Sequence, residues 1–467
     1  MQRLQGLILI PIYTSPLYLS EPSQYSNYGL IYTFIAFMNF FYLYGMDSAF
    51  LRYFFLGKSD RKTIFSTVFF ILFGTSLLSS VLLWIFSDIL AKTLLFSSEL
   101  SYLVRLAALI LFLDTLGNFP FLILRAQERP VAFTVFRMLR FSLEILFNLL
   151  FVVILKKGVP GILYANVLAS FLNLLIMFPF AAKLLKPVVD FSLLKEMLKF
   201  GLPFLPNGIA LMTIEMIDRF LVTKYLGKDI LAFYHANYKF ATVLLLLIIG
   251  FRNAWQPFFL KIAKEPDARI TYSRILNYYV MLSGIVVIAI TLFIKDILTQ
   301  HYFQAFYILG KNYWAGIPFI PWIVLSYFLF GIYVIFTPAF YISKKSQFMI
   351  LFTGSGAVVN IVVNLLLLPR IGIWGAVVAT VLAYLVMTLT IYLVAQRIHP
   401  IPIPVKNVLI TFLGIGCSYF IYYIWNPDFW VKVVILILMI AGFIKYSEIT
   451  KQIRFLKTNF NQKQDDS

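Results

Sequence analysis

The chain has 467 residues, of which 61% are hydrophobic, 18% aromatic and only 13% charged, and it carries a formal net charge of +19. A water-soluble domain cannot hide that much apolar surface, so a soluble fold is excluded, and with it the reading of the positive charge as a nucleic-acid surface. The single cysteine, Cys417, rules out a disulfide within the chain; its place in an apolar run predicts a buried, inert thiol.

Apolar runs of spanning length follow one another along the sequence, and in lipid such runs must be helices because every backbone group has to be satisfied within its own segment. About fourteen are predicted. In chain order they are Leu4 to Leu19, Tyr28 to Met46, Thr63 to Phe86, Tyr102 to Leu124, Phe141 to Leu155, Gly161 to Ala182 and Phe200 to Val222. Ala232 to Phe251, Ile275 to Ile294, Trp314 to Tyr341, Phe348 to Leu368, Ile373 to Val394, Val408 to Trp425 and Trp430 to Ile444 follow. The first is read as a membrane helix rather than a signal peptide, since no small-residue cleavage site follows it and Pro11, Pro16 and Pro22 interrupt the region. Between Ala182 and Phe200, Phe191, Leu194, Met197 and Leu198 form the apolar face of an interfacial helix. His399-Pro400-Ile401-Pro402-Ile403-Pro404 makes a stiff connector.

Two segments repeat. Gly45-x-x-x-Ala49-Phe50-x-x-Tyr53-Phe54 returns as Gly250-x-x-x-Ala254-Trp255-x-x-Phe258-Phe259, and Gly158-x-x-Gly161-x-x-x-Ala165-x-Val167-Leu168-Ala169 as Gly372-x-x-Gly375-x-x-x-Ala379-x-Val381-Leu382-Ala383. An even number of helices separates the copies, so orientation is preserved. The expected fold is all-α and polytopic, with two six-helix lobes, 1–190 and 191–400, related by a pseudo-two-fold axis normal to the membrane. Extra helices over 401–446 and a basic cytoplasmic tail over 447–467 complete it. Lysine and arginine gather on one side of this map, at Arg52, Lys58, Arg61, Lys62, Arg125, Arg129, Lys183, Lys186, Lys195, Lys199, Lys344, Lys345 and the tail. That side is cytoplasmic, and both termini fall on it.

The chemistry of an enzyme is missing from the pattern. His235, His301 and His399 are scattered, no acidic or Cys/His cluster has metal-ligand spacing, and no Gly-rich loop is followed by a phosphate-binding lysine. No metal or other cofactor is expected. The longest predicted outer loop, Lys295 to Tyr313, offers only Asp296 and His301. Ionisable groups inside spans are costly and therefore candidates for function. Glu215, Asp218 and Arg219 lie within one turn, with Glu215 and Arg219 spaced to pair, and Tyr238 and Lys239 stand on the next helix at the depth of Asp218. Arg105, Asp114 and Glu144 are further candidates, with Arg125 at an inner helix end. A structural salt network remains the alternative reading of these groups. The shift that carries Gly45 onto Gly250 carries Asp47 onto Arg252, an acid and a base at equivalent places, which suggests a cytoplasmic gate. Mixed charge with 28 Tyr and 7 Trp suits a hydrated cavity for a large anionic amphiphile.

The stretch Gly45 to Phe54, the run Pro120 to Arg129, and Asp218-Arg219-Phe220 with Leu226-Gly227, Tyr234, Tyr238-Lys239 and Ala254-Trp255-x-Pro257 resemble the polysaccharide transporter family. This family holds the O-antigen and capsule-repeat flippases, in the superfamily of multidrug extruders and the lipid II flippase. The resemblance implies alternating-access transfer of undecaprenyl-diphosphate-linked oligosaccharide across the bacterial inner membrane, among membrane lipids and other polysaccharide-assembly proteins. It implies substrate contacts from Arg52, Arg219, Lys239 and Asp218, to which the residue reading adds Tyr238 and Arg125. Asp114, Glu144 and Glu215 are the ion-coupling candidates. Where the family carries a basic residue after the threonine of the first helix, this chain has Ser15 after Thr14. A multidrug/cation antiporter and a membrane-embedded polysaccharide polymerase are the competing readings.

Overall fold

A computed structural model describes residues 2–19, 21–56, 59–127, 129–263, 265–302, 306–343 and 345–446. The predicted tail over 447–467, with Lys58, Glu128 and Lys344, lies outside these described residues. The chain forms two compact units. Residues up to Ala236, with Leu309–Tyr313 and Ala357–Ala379, make the first; Asn237–Ile308, Trp314–Gly356 and the residues from Thr380 on make the second.

The first unit opens with α1 (Gln2–Ile8) and α2 (Ile10–Tyr13), then α3 (Pro22–Leu43), α4 (Met46–Leu56), α5 (Arg61–Ile85), α6 (Ser87–Leu94) and α7 (Ser101–Ala126). It continues through α8 (Pro130–Asn148), α9 (Gly158–Ala182), α10 (Phe191–Gly201), α11 (Phe204–Leu226) and the beginning of α12 (Lys228–Ile262). Proline opens α3 and α8, where its missing N–H costs nothing. At α10 the Asp190 carboxylate caps Leu193 N–H at 3.0 Å; Leu194 and Met197 of its predicted apolar face are buried together with Leu193, while Phe191 is exposed. The apolar face of α5 points the other way: Phe73, Leu78, Trp84 and Ile85 are exposed, as a lipid-facing surface requires. α7 is the centre of the unit, packed against α3, α5, α6 and α9.

The second unit takes the rest of α12 and α13 (Ala268–Thr299), α14 (Ile320–Phe336) and α15 (Pro338–Ile342). α16 (Met349–Ile371) and α17 (Ile373–Ile398) are shared between the units, and α18 (Val405–Phe420) and α19 (Phe429–Tyr446) follow. α13 packs on α14, α18 and α19. Lys432 of α19, 1% exposed, reaches Asp296 of α13 at 2.7 Å and Asn426 at 3.0 Å. Asp296, predicted in a loop, is thus helical and paired. Only paired strands of two residues each, His301–Tyr302 and Phe306–Tyr307, interrupt the helical fold among the described residues.

Among the described residues, ten helices are long and apolar enough to cross a membrane, or eleven if α3 and α4 form one broken span, so about fourteen is not reached by this measure. The predicted first span is split into the short α1 and α2. The fifth begins at Pro130 instead of Phe141 and carries Arg137, Arg140 and Glu144; its end, Leu149–Ile154, is π-helical. Cys417 is exposed, not buried, because in a membrane protein an apolar run has an outward face turned to lipid.

The repeats differ in what they do. Gly158 (φ 59°) and Gly372 (φ 61°) both turn left-handed at the entry to a helix. Gly161 and Gly375 each pack on the backbone just before it, where a Cβ would meet Phe151 O at 3.0 Å and Leu367 C at 2.6 Å. Gly45 (φ 78°) breaks the second span, turning α4 by 41° from α3, whereas Gly250 lies inside an unbroken α12. A Cβ on Gly45 would sit 2.1 Å from the Gly201 carbonyl oxygen. Gly45→Ala is therefore expected to lower stability by about 1–3 kcal/mol from the backbone alone. Gly250→Ala, with open space around it, should raise stability by about 0.5–1 kcal/mol. Thermal unfolding of the purified protein in detergent reads both; equal effects would contradict this difference.

Candidate functional site

Helical spacing brings charge together in the first unit. α8 presents Arg137, Arg140 and Glu144 at intervals of three and four, one face of a helix, and α7 presents Asp114, Asn118 and Arg125 on another. With Gln5 of α1, Asn39 and Leu43 of α3 and Asp47 of α4, they line a cavity of about 530 Å³. Phe119, Phe133 and Phe141 complete its wall.

The innermost pair is Asp114 and Arg140. Arg140 Nη2 donates to Asp114 Oδ1 at 2.6 Å, and the Ser170 hydroxyl of α9 donates to the same oxygen at 2.6 Å. Arg140 is 7% exposed, so water screens this pair little. Arg137 and Arg140 both donate to Asn118 Oδ1, at 3.1 and 3.2 Å, and the Arg137 guanidinium stands 4.0 Å over the Phe121 ring. Glu144, 5% exposed, stands one turn after Arg140 on α8 and lines the same wall as Gln5. Neither Arg125 nor Arg137 has a carboxylate within ion-pair distance among the described residues. Asp47, half-buried in the first turn of α4, lines the same space.

A second cluster is fully buried. Asp218 accepts from Arg219 Nη1 at 3.0 Å and from the Tyr234 hydroxyl. Arg219 also donates to the Glu215 carbonyl and, through Nε, to His235 Nδ1 at 3.2 Å, which leaves the imidazole proton on Nε2. The His235 ring lies 5.5 Å from Tyr25 and 5.9 Å from Tyr28, in room left by Gly29. From there rings and amides run back to the first cluster: Tyr28 to Tyr32 at 4.7 Å, Asn166 Nδ2 to the Tyr32 hydroxyl at 2.9 Å, and Ser170 to Asn166 at 3.2 Å. Tyr13 joins at the side, 5.2 Å from Tyr28 and bonded to Asn148 at 2.5 Å.

The structure therefore gathers Asp47, Asp114, Arg125 and Glu144 in one cavity and Asp218 with Arg219 in a linked cluster, with Glu215 one turn before Arg219. Arg52 is exposed at the end of α4, its guanidinium 4.3 Å over the Phe200 ring of α10. Tyr238, Lys239 and Arg252 belong to the second unit. There Tyr238 is buried with its ring 6.2 Å from Tyr327, Lys239 is half-buried and Arg252 exposed. Arg137 and Arg140 precede Phe141, where hydropathy starts the fifth span, and Asn118 and Ser170 lie inside predicted spans but carry no charge to mark them. The spacing of Arg137, Arg140 and Glu144 behind a helix-opening Pro130 was the available signal.

An all-helical multi-pass membrane protein with a charged cavity inside its first unit has the build of a transporter. Its backbone is similar to that of the lipid II flippase MurJ in an inward closed conformation, with a TM-score of 0.77 and 17% identity, covering 97% of this chain and 97% of that one. An inward-facing multidrug resistance MATE family transporter follows at 0.67 and 16%, covering 85% and 95%. The Vibrio cholerae MATE transporter VcmN, as a mutant, gives 0.61 and 12%, covering 85% and 93%. No curated protein matches the sequence. The profile of the family described as "Polysaccharide biosynthesis protein" matches residues 19–275, and the chain belongs to that family.

Removing one partner of a buried ion pair leaves the other charge uncompensated. Asp114→Leu is expected to destabilise the protein by about 3–5 kcal/mol, and Asp114→Leu with Arg140→Met to recover most of that loss. Thermal unfolding in detergent measures both, and a double variant no better than the single would show that the pair is not the relevant interaction.

Proposed function

We propose that this chain is a flippase that moves undecaprenyl-diphosphate-linked oligosaccharide repeats from the cytoplasmic to the outer leaflet of the bacterial inner membrane by alternating access, for O-antigen, capsule or exopolysaccharide synthesis. The observation that carries the reading is the pair Arg125 and Arg137, which face a 530 Å³ cavity with no carboxylate within ion-pair distance among the described residues. Planar guanidiniums bind phosphate oxygens two at a time, and the volume lies in the roughly 300–1,000 Å³ range of small-molecule sites. Asn39, Asn118 and the phenylalanine wall suit the sugar next to the diphosphate.

Membership of the polysaccharide biosynthesis family and the likeness of fold to a lipid-linked precursor flippase support the same substrate class. An antiporter for organic cations is disfavoured, since Arg125, Arg137 and Arg140 share the cavity with its carboxylates. In this reading Arg219, Asp218, Lys239, Tyr238 and Arg52 form further parts of the substrate path. Asp114, Glu144 or Glu215 takes up and releases a coupling ion, and Asp47 with Arg252 closes the cytoplasmic mouth. The lobes are 1–190 and 191–400, and the basic face with both termini is cytoplasmic.

The test is complementation of a flippase-deletion strain whose lipid-linked repeats build up in the inner leaflet. The wild-type chain should clear that pool. Arg125→Gln with Arg137→Gln should reduce clearance at least tenfold at normal protein level. Full clearance by this variant would remove the phosphate role of the cavity, and single repeats accumulating outside in cells lacking the protein would identify a polymerase instead.

A further inference from the structure

The opposite end of the first unit holds a second cavity, of about 400 Å³, which the proposed cargo site does not use. Gln24 and Asn27 at the start of α3 line it, with Tyr18 from the loop before, Tyr102 at the start of α7, and Lys156 and Lys157 on the turn into α9. Asn27 in this cavity and Asn39 in the other share α3, so the two lie roughly 18 Å apart along it.

The lining carries ammonium, phenol and amide groups and no carboxylate. Neither lysine ammonium has an ion pair or hydrogen-bond partner among the described residues. The turn that carries them is tight: Lys156 (φ 49°) and Gly158 (φ 59°) are both left-handed, and Lys157 N–H closes onto the Phe151 carbonyl at 2.9 Å. No side chain caps α9, so its positive end adds to the field at Gly158 and Val159, which also line the space. Asn27 supplies the second, independent sign. Its Oδ1 is buried with no donor among the described residues, an acceptor left for a ligand hydroxyl.

We propose that this cavity is a second binding site, for a hydroxylated anion: an acidic or phosphorylated sugar, or the phosphoglycerol headgroup of a lipid. Lys156 and Lys157 meet the negative charge, Asn27 Oδ1 accepts from a hydroxyl, and the rings of Tyr18 and Tyr102 offer faces to a sugar. In a transporter whose loading cavity lies at the other end, this site receives the anionic part of the cargo as it leaves, or holds the headgroup that replaces it.

The test uses the full-length protein in nanodiscs of phosphatidylcholine, titrated with glucuronic acid 1-phosphate, with glucose, with inorganic phosphate and with short-chain phosphatidylglycerol. Saturable binding of the sugar phosphate or of phosphatidylglycerol is expected, at least tenfold tighter than that of glucose. Lys156→Gln with Lys157→Gln should weaken it at least tenfold. Asn27→Leu should weaken the hydroxylated ligands while leaving inorganic phosphate unchanged. Both lysines are exposed, so the double variant should fold, and an unchanged melting temperature verifies that. Binding of the sugar alone assigns the site to the cargo, and displacement of the sugar by phosphatidylglycerol assigns it to the headgroup. Undiminished binding in the double lysine variant, or no saturable binding of either anion, overturns the proposal. Because the readout is equilibrium binding, failure here and failure of the flippase reading are separate results.

Discussion

A carboxylate and a guanidinium 2.6 Å apart, both nearly out of reach of solvent, hold the first unit together at Asp114 and Arg140. Each charge alone would be very costly at that depth. Together, with Ser170 completing the shell of Asp114, they join α7, α8 and α9 at one point. The pairing also sorts the arginines of the cavity. Arg140 is committed to Asp114, while Arg137, braced by Asn118 and the Phe121 face, keeps its charge turned toward the open space with Arg125.

Much of this was legible beforehand for one reason: a charge inside an apolar run is expensive, so sequence alone marks Asp114, Glu144, Asp218 and Arg219 as exceptional. What sequence cannot give is the partner. Arg219 donates to the Glu215 carbonyl and to the adjacent Asp218 carboxylate, and it also meets His235, while Tyr234 bonds Asp218, both arriving from another helix that sequence spacing does not place. The two charges nearest the heart of the cavity were lost for a different reason. Hydropathy starts the fifth span where the apolar residues start, but a helix begins where its backbone can begin, and Pro130 fixes that point well upstream.

The repeat teaches the same distinction between pattern and conformation. Gly158 and Gly372 share a left-handed φ because in both places the chain must turn at once into a helix against its own preceding backbone. Gly45 and Gly250 share a motif but no geometry. The bend at Tyr44 and Gly45 exists where the Gly201 backbone of α10 presses against the second span, and only a residue without a Cβ admits that approach. α12 has no such bend at Gly250, where a Cβ would find open space, and runs straight through the motif.

Polar cavities entering one unit from opposite ends leave between them a layer roughly 18 Å thick along α3, against about 30 Å for the hydrocarbon of a bilayer. That layer is built of Tyr13, Tyr28 and Tyr32 with Asn148 and Asn166. Were both cavities filled with water and open to opposite faces of the membrane, a voltage would fall mainly across this short tyrosine layer instead of the full width of the hydrocarbon. A charge that crosses only the layer still collects about 2.3 kcal/mol per 100 mV. In that arrangement the unit would be an insulator thinned at its centre, and a displacement of little more than half the hydrocarbon thickness would harvest most of the voltage.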